Sequence, residues 1–153
     1  MIERVVGNIR VFLGTEEVIE SFDAVVVVLF SSKGLVLVRD ERRAWEFPGG
    51  HREGDETYEE TAVREAFEEA GARITDIKCL GYYTTGCGHT TVIVCGEVTA
   101  FERFDRASDS LSVGTFASLP ADLSFGDGRE QLFFEYAVAF RAGRQSGTGL
   151  MSG

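Results

Sequence analysis

The segment from Gly50 to Ala72 reads GHREGDETYEETAVREAFEEAGA and leaves little freedom about how it folds. Thr57 followed three residues later by Glu60 has the spacing of a capping box, in which each side chain satisfies a free backbone N–H of the other residue. Gly71 can adopt the left-handed conformation that ends a helix. Together they bracket a helix from about Tyr58 to Ala70. At about 100° per residue, Ala62, Val63, Ala66, Phe67 and Ala70 share one stripe able to pack on a core. Glu65, Glu68 and Glu69 share another, its centre roughly 140° away on the same wheel.

Carboxylates three and four residues apart on a helix repel one another, and only Arg64 stands near enough in sequence to offset them. The plain reading of a Glu-rich helix is a solvated acidic face. This cluster instead calls for a cation. Hard oxygen donors favour Mg²⁺ or Mn²⁺ over zinc, and magnesium commonly combines a few carboxylates with the phosphates of a substrate. Just upstream, Trp45-Glu46-Phe47-Pro48-Gly49-Gly50 supplies a proline that fixes φ and two glycines that permit a turn closed to residues with a β-carbon. Main-chain carbonyls in such a turn can approach a metal.

Written as a pattern, Gly50, five residues, Glu56, seven residues and Arg64-Glu65-Ala66-Phe67-Glu68-Glu69-Ala70-Gly71-Ala72 fits GX5EX7REUXEEXGU at every fixed position, U being a bulky aliphatic residue. The segment resembles the Nudix box, the mark of enzymes that hydrolyse a nucleoside diphosphate linked to another group. The resemblance implies that Glu65, Glu68 and Glu69 hold catalytic Mg²⁺, with Mn²⁺ as a substitute, and that the Gly49 carbonyl is a further ligand. It also implies that Glu65 orients or deprotonates water, and that Arg64 pairs with Glu56 to clamp the loop against the helix. Ala66 and Ala72 stand where the pattern expects larger aliphatic residues, a departure that touches packing and no catalytic atom. A fourth carboxylate ligand in such enzymes often lies outside the box, where Glu97, Glu102, Asp105 and Asp109 are candidates.

At 153 residues the chain can bury one substantial core, and we read residues 1–141 as a single domain. Residues 142–153, rich in Gly, Ser and Thr, read as a flexible tail. Val5 to Leu13, Phe22 to Phe30 and Leu35 to Arg39 read as strands, with Ser31-Ser32-Lys33-Gly34 as a hairpin turn. Ile77 to Thr84 and Thr90 to Ala100 follow as strands, Asp105 to Thr115 as a polar loop, and a short strand near Phe116. Asp127 with Glu130 repeats the capping-box spacing and opens a second helix from about Gly128 to Arg141. Strands interleaved with two helices, one on each side, give an α/β fold: an α/β/α sandwich around a mixed sheet. The Nudix resemblance, which covers about Phe22 to Phe140, implies the same.

A net charge of −10 argues against duplex DNA or bulk RNA as a partner. A small-molecule nucleotide remains compatible, because a bound Mg²⁺ neutralises site and phosphates alike. The apolar run Ala24 to Phe30 is too short to span a membrane and nothing at Met1-Ile2-Glu3-Arg4 resembles a signal peptide, so a cytoplasmic location is expected. Cys79, Cys87 and Cys95 form no CxxC pair, and Cys79 and Cys95 read as buried thiols. Arg39, at a strand end shortly before the glycine turn, is a candidate phosphate or base contact.

The box handles the diphosphate, so other residues choose what is attached. The tyrosine and proline that mark dinucleoside polyphosphate and ADP-ribose hydrolases are missing from the stretch after the box, which leaves the MutT-like group that includes 8-oxo-dGTP diphosphatases. In that group the equivalent of Phe47 and residues just before the second helix line the base pocket, making Phe47, Phe125 and Asp127 candidates; His89 is a further one. The expected reaction releases a nucleoside monophosphate and pyrophosphate from a (d)NTP or oxidised dNTP. Alternatives are hydrolysis of ADP-ribose, an NDP-sugar or a dinucleoside polyphosphate, a non-catalytic nucleotide sensor, or an isoprenoid diphosphate isomerase using Cys87. Many relatives are dimers, so the resemblance also allows a homodimer.

Overall fold

The apolar run from Ala24 to Phe30 is almost wholly buried, as befits a strand covered on both faces rather than one. A computed structural model describes the whole chain except residues 16–18, 41–43, 103–110 and 153. In chain order its elements are β1 (Ile2–Val6), β2 (Ile9–Leu13), β3 (Ala24–Ser31), β4 (Gly34–Asp40), β5 (Gly49–His51), α1 (Tyr58–Ala70), β6 (Ala72–Thr85), β7 (Thr90–Phe101), β8 (Leu111–Phe116) and α2 (Arg129–Ser152).

The strands form one sheet in the order β1-β2-β6-β7-β3-β4-β8, with β5 added alongside β3. β3 and β7 run parallel, and every other strand pair is antiparallel. Alternation along the central strands divides the core in two. Val25, Val27, Leu29, Val36, Val38, Val92 and Val94 meet Ala62, Ala66 and Ala70 of α1. Val28, Phe30, Leu35, Leu37, Ile93 and Cys95 meet Phe133 and Ala137 of α2. The result is a three-layer α/β/α arrangement around a mixed sheet.

Several boundaries differ from the sequence reading. Val5 to Leu13 is not one strand: Gly7 takes φ 54° and turns the chain between Val6 and Ile9, which pair across the hairpin. Glycine at the first central position of a two-residue turn is what such a hairpin requires. Gly49–His51 is itself a short strand, β5, paired with Ala24–Val26. β6 begins at Ala72, five residues before Ile77, and passes register irregularities on the way to Thr85. Leu111 to Thr115 belongs to β8 rather than a loop, held against β4.

The second helix starts one residue later than expected and continues to Ser152, past the Arg141 end. Its N-terminus is not a reciprocal capping box. Arg129 N–H donates to Asp127 Oδ1 at 3.1 Å, whereas Glu130 Oε2 accepts from Phe125 N–H at 2.8 Å. Among the described residues, no helix is long and apolar enough to cross a membrane.

Candidate active site

α1 carries the box. Thr57 Oγ1 accepts from Glu60 N–H at 3.2 Å and Glu60 Oε1 accepts from Thr57 N–H at 2.9 Å, so the first turn is closed reciprocally. Gly71 ends the helix at φ 64°. Ala62, Ala66 and Ala70 pack on the sheet, while Val63 is turned outward. Ala66 and Ala72 are both fully buried; with only a methyl group each, they let the helix lie close against the strands.

That close approach brings the glutamates to the glycine turn. Gly49 N–H donates to Glu69 Oε1 at 2.7 Å. A β-carbon on Gly50 would stand 2.5 Å from Glu65 Oε1, so the carboxylate occupies space that only glycine leaves free. The three carboxylates are not equally placed: the Glu65 side chain is 12% exposed and that of Glu68 54%. Glu69 is partly buried.

Arg64 ties this cluster to the preceding loop. Its guanidinium donates to Glu56 through Nε and Nη2, at 2.8 and 3.0 Å, and to the His51 carbonyl at 2.8 Å. Nη1 reaches Glu65 at 2.8 Å and Glu68 at 3.3 Å. Glu56 Oε1 in turn accepts from Thr61 Oγ1 and Glu53 N–H. One planar cation thus fixes a loop carbonyl, a loop carboxylate and two helix carboxylates.

The electrostatics separate these carboxyls. The Arg64 guanidinium holds Glu56 down to about 2. Burial raises Glu65, and Glu68 and Glu53 raise it further against the pull of Arg64. Burial pushes Glu69 up to about 7, with the charges of Glu65, Glu46 and Glu68 adding to the rise and Gly49 N–H opposing it. Like charge gathered in a half-dry place favours the protonated form of its members.

Among the described residues, no three carboxylate, imidazole or thiol groups converge on one point. Arg64 holds two of the glutamates and Gly49 the third. The donor set still suits a hard divalent ion: it is all oxygen, it is anionic, and burial and mutual repulsion raise the proton affinity of Glu65 and Glu69. Glu65, Glu68 and Glu69 are the residues that would hold it, with the Gly49 carbonyl beside them.

The other carboxylate candidates are engaged or lie elsewhere. Glu97 makes a two-point contact with Arg141 of α2, at 2.8 and 2.9 Å. It pairs in the sheet with Phe30, whereas β5 pairs with the opposite end of β3. Glu102 pairs with Arg73 at 3.1 Å. Asp105 and Asp109 lie outside the described residues. Arg39 lies 3.9 Å from Asp122 with its guanidinium 5.8 Å from the Trp45 ring. His89 meets His51 edge to face, ring centres 5.6 Å apart. Cys87, beside the Thr85 hydroxyl, is the exposed thiol; Cys95 is buried and Cys79 half-buried.

A second group of side chains gathers where α2 begins. Trp45 N–H donates to the Asp122 carbonyl and Ser124 N–H to the Trp45 carbonyl, stitching the segment before α2 to the approach of the glycine turn. Phe47 is buried with its ring 6.5 Å from that of Phe133, while Phe125 is 55% exposed. Asp127 is taken up by Arg129, which donates to both its oxygens at 2.8 to 3.2 Å and holds its carboxyl below the usual range.

Glu130, which the sequence marks only as a capping partner of Asp127, belongs to this group as well. Glu130 is 3% exposed. One of its oxygens accepts from Phe125 N–H; the other, Oε1, has no hydrogen-bond partner among the described residues. Its spacing from Asp127 was the only signal.

Comparison with known proteins bears on the family and the fold. The chain is 39% identical over 103 residues to the curated Bacillus subtilis protein named "Putative 8-oxo-dGTP diphosphatase YtkD", a match covering 65% of this chain and 64% of that protein. A "MutT-like protein" of Streptomyces ambofaciens is 35% identical over 89 residues, covering 57% of this chain and 58% of the relative. The matches thus span about three fifths of each relative's length. Among solved structures, the Bacillus subtilis pyrophosphohydrolase BsRppH superposes with a TM-score of 0.77 at 23% identity, covering 91% of this chain and 97% of that one. At that identity the likeness concerns the fold. The family model described as the NUDIX domain matches residues 21–115. Because that match runs through β3, the glycine turn and the whole of α1, the chain belongs to the NUDIX domain family.

Proposed function

We propose that the protein is a Mg²⁺-dependent hydrolase of nucleoside diphosphate-linked compounds, working in the cytoplasm through a single domain over residues 1–141. The substrate is a (deoxy)nucleoside triphosphate or an oxidised one such as 8-oxo-dGTP, which water splits to the nucleoside monophosphate and pyrophosphate. The observation that carries this reading is the gathering of Glu65 and Glu69 at Gly49 and Gly50, with Glu69 pushed up to about 7. A sensor that only bound nucleotide would not need all the box glutamates.

Glu65, Glu68 and Glu69 would hold the Mg²⁺, which when bound would supply Lewis-acid chemistry: a lower pKa for water and neutralisation of phosphate charge. The protein's part is positional and acid–base. Glu65, withdrawn from water and hydrogen-bonded to Arg64, is held where it can orient a water or take its proton. Arg64 keeps helix and loop in one register, so that a shift of the turn does not open the cluster. Glu130 Oε1, buried and without a hydrogen-bond partner among the described residues, is an acceptor suited to a base that presents N–H donors. The guanine edge and the N7–H of an 8-oxopurine both qualify.

The test is incubation with Mg²⁺ and a panel of dNTPs, 8-oxo-dGTP, ADP-ribose, NDP-sugars, dinucleoside polyphosphates and isopentenyl diphosphate, with products resolved by ion exchange. Pyrophosphate and monophosphate from a triphosphate support the reading. Tight binding without turnover of any member would replace it with a sensor, and preferred cleavage of ADP-ribose would move the substrate class.

A further inference from the structure

Arg129 is an unusual arginine: it is 6% exposed and lies at the first residue of α2. Cationic side chains stabilise the opposite end of a helix, so its place needs another reason. Its guanidinium lies 3.9 Å from the centre of the Phe125 ring and 5.8 Å from that of Tyr83. Nη2 donates to Asn8 Oδ1 at 3.0 Å, across 121 residues of chain, and to Asp127 Oδ2 at 2.8 Å. A single planar group therefore joins the β1–β2 turn, the start of α2 and two aromatic rings.

The surfaces it joins border open space. Asn8, with Gly7, Arg10 and Thr84 to Gly86, lines a cleft of about 320 Å³. Phe125 is 55% exposed although Asp122 and Ser124 just before it are stitched to the Trp45 backbone. Its backbone N–H is held by Glu130 and its ring lies against Arg129. An exposed aromatic ring fixed from below by a cation is a stacking surface rather than a core residue. Phe47, two residues before Gly49, meets Phe133 on α2, and Phe133 stacks on Tyr83 with ring centres 5.8 Å apart. The aromatic path thus leads from the glycine turn to Arg129.

We infer that Arg129 is a positioning residue for nucleoside selection. It holds the Phe125 ring in the orientation on which a nucleobase stacks, and it ties that wall to the Asn8 turn. The inference rests on the reading of the protein as a nucleotide hydrolase and adds which residues set base affinity. Arg129 touches no reacting atom, so its loss acts on binding of the base and not on phosphoanhydride cleavage.

The test is steady-state kinetics of wild type, Arg129→Met, Arg129→Lys and Phe125→Ala, on the best nucleoside triphosphate and on deoxyribose 5′-triphosphate, which has no base. A lost base stack should raise KM for the nucleotide by about ten- to a hundredfold, while kcat stays within about twofold. Lysine keeps the charge near Asp127 but not the planar stack, so Arg129→Lys should resemble Arg129→Met. A double variant combining Arg129→Met with Phe125→Ala should be no worse than Phe125→Ala, because both changes remove one contact. KM for the baseless substrate should stay within about twofold throughout.

Phe125 is exposed, so Phe125→Ala folds even if an Arg129 variant does not, and an unchanged nucleotide KM in Phe125→Ala overturns the inference. So does an equal loss on both substrates in a folded Arg129 variant. Absence of triphosphate turnover in the wild type would instead refute the hydrolase reading itself.

Discussion

Replacing Glu69 with glutamine should separate the two things this carboxyl does. Burial, with Glu65, Glu46 and Glu68 nearby, pushes it from 4.5 up to about 7. Each pH unit of that rise is worth about 1.4 kcal/mol. The folded value lies above the unfolded one, so the contribution to stability is fully present below 4.5 and is lost as pH climbs through 7. Glutamine keeps an oxygen for Gly49 N–H and never ionises. In EDTA, E69Q should therefore gain less than about 1 kcal/mol over wild type at pH 5 and about 3 kcal/mol at pH 8. For a domain of this size that is roughly 6–12 °C in Tm at the higher pH. Urea unfolding followed by circular dichroism at the two pH values measures it. Turnover with Mg²⁺ should fall by about a hundredfold or more. A variant no more stable than wild type at pH 8, or one that keeps full activity, would refute the placement of this carboxyl as a strained metal ligand.

Mg²⁺ should raise the melting temperature of the wild type at pH 8, and more than it raises that of E69Q; EDTA should reverse the rise, as scanning fluorimetry can follow. Glu56→Gln should cost about 1–2 kcal/mol at neutral pH, allowing for solvent screening at the rim of the cluster. Because Arg64 holds Glu56 down to about 2, that contribution is present above 4.5 and fades as pH falls toward 2, so wild type and variant should converge in acid melts. Gly50→Ala should displace the Glu65 carboxylate, the end of a flexible side chain, and leave the fold intact. Mg²⁺ affinity by calorimetry should weaken by about tenfold or more.

The sequence was most readable where local chemistry and tertiary packing agree. Thr57, Glu60 and Gly71 bracket α1 by contacts within the segment itself, and the structure keeps those ends. The continuous apolar run from Ala24 to Phe30 announced a buried strand, and alternation over Thr90 to Ala100 announced β7. Where the fold depended on distant partners, residues alone said less. Val5 to Leu13 reads as one strand because its apolar residues are continuous in spirit with β-structure on either side of Gly7; the hairpin appears only once β2 pairs with β6. Leu111 to Thr115 is polar enough to resemble a loop, yet β4 supplies it with a ladder. At the site, the box glutamates and Arg64 stood out by spacing. The roles of Asp127 and Glu130 did not, since the capping pattern they share hides that Arg129 takes one carboxylate and leaves the other half free.

β3 is the strand on which the sheet turns: it meets β7, β4 and β5 at once. Its pairing with β7 joins segments that lie on either side of α1 and β6, and parallel contacts of such long sequence separation form slowly. Among the described residues, β5, which carries Gly49 and Gly50, pairs in the sheet with β3 alone. During refolding, helix signal from α1 should therefore return before catalytic activity does. Recovery of turnover then serves as a clock for closure of the central sheet, because the glutamates can be helical long before the glycines they must meet have a place to stand.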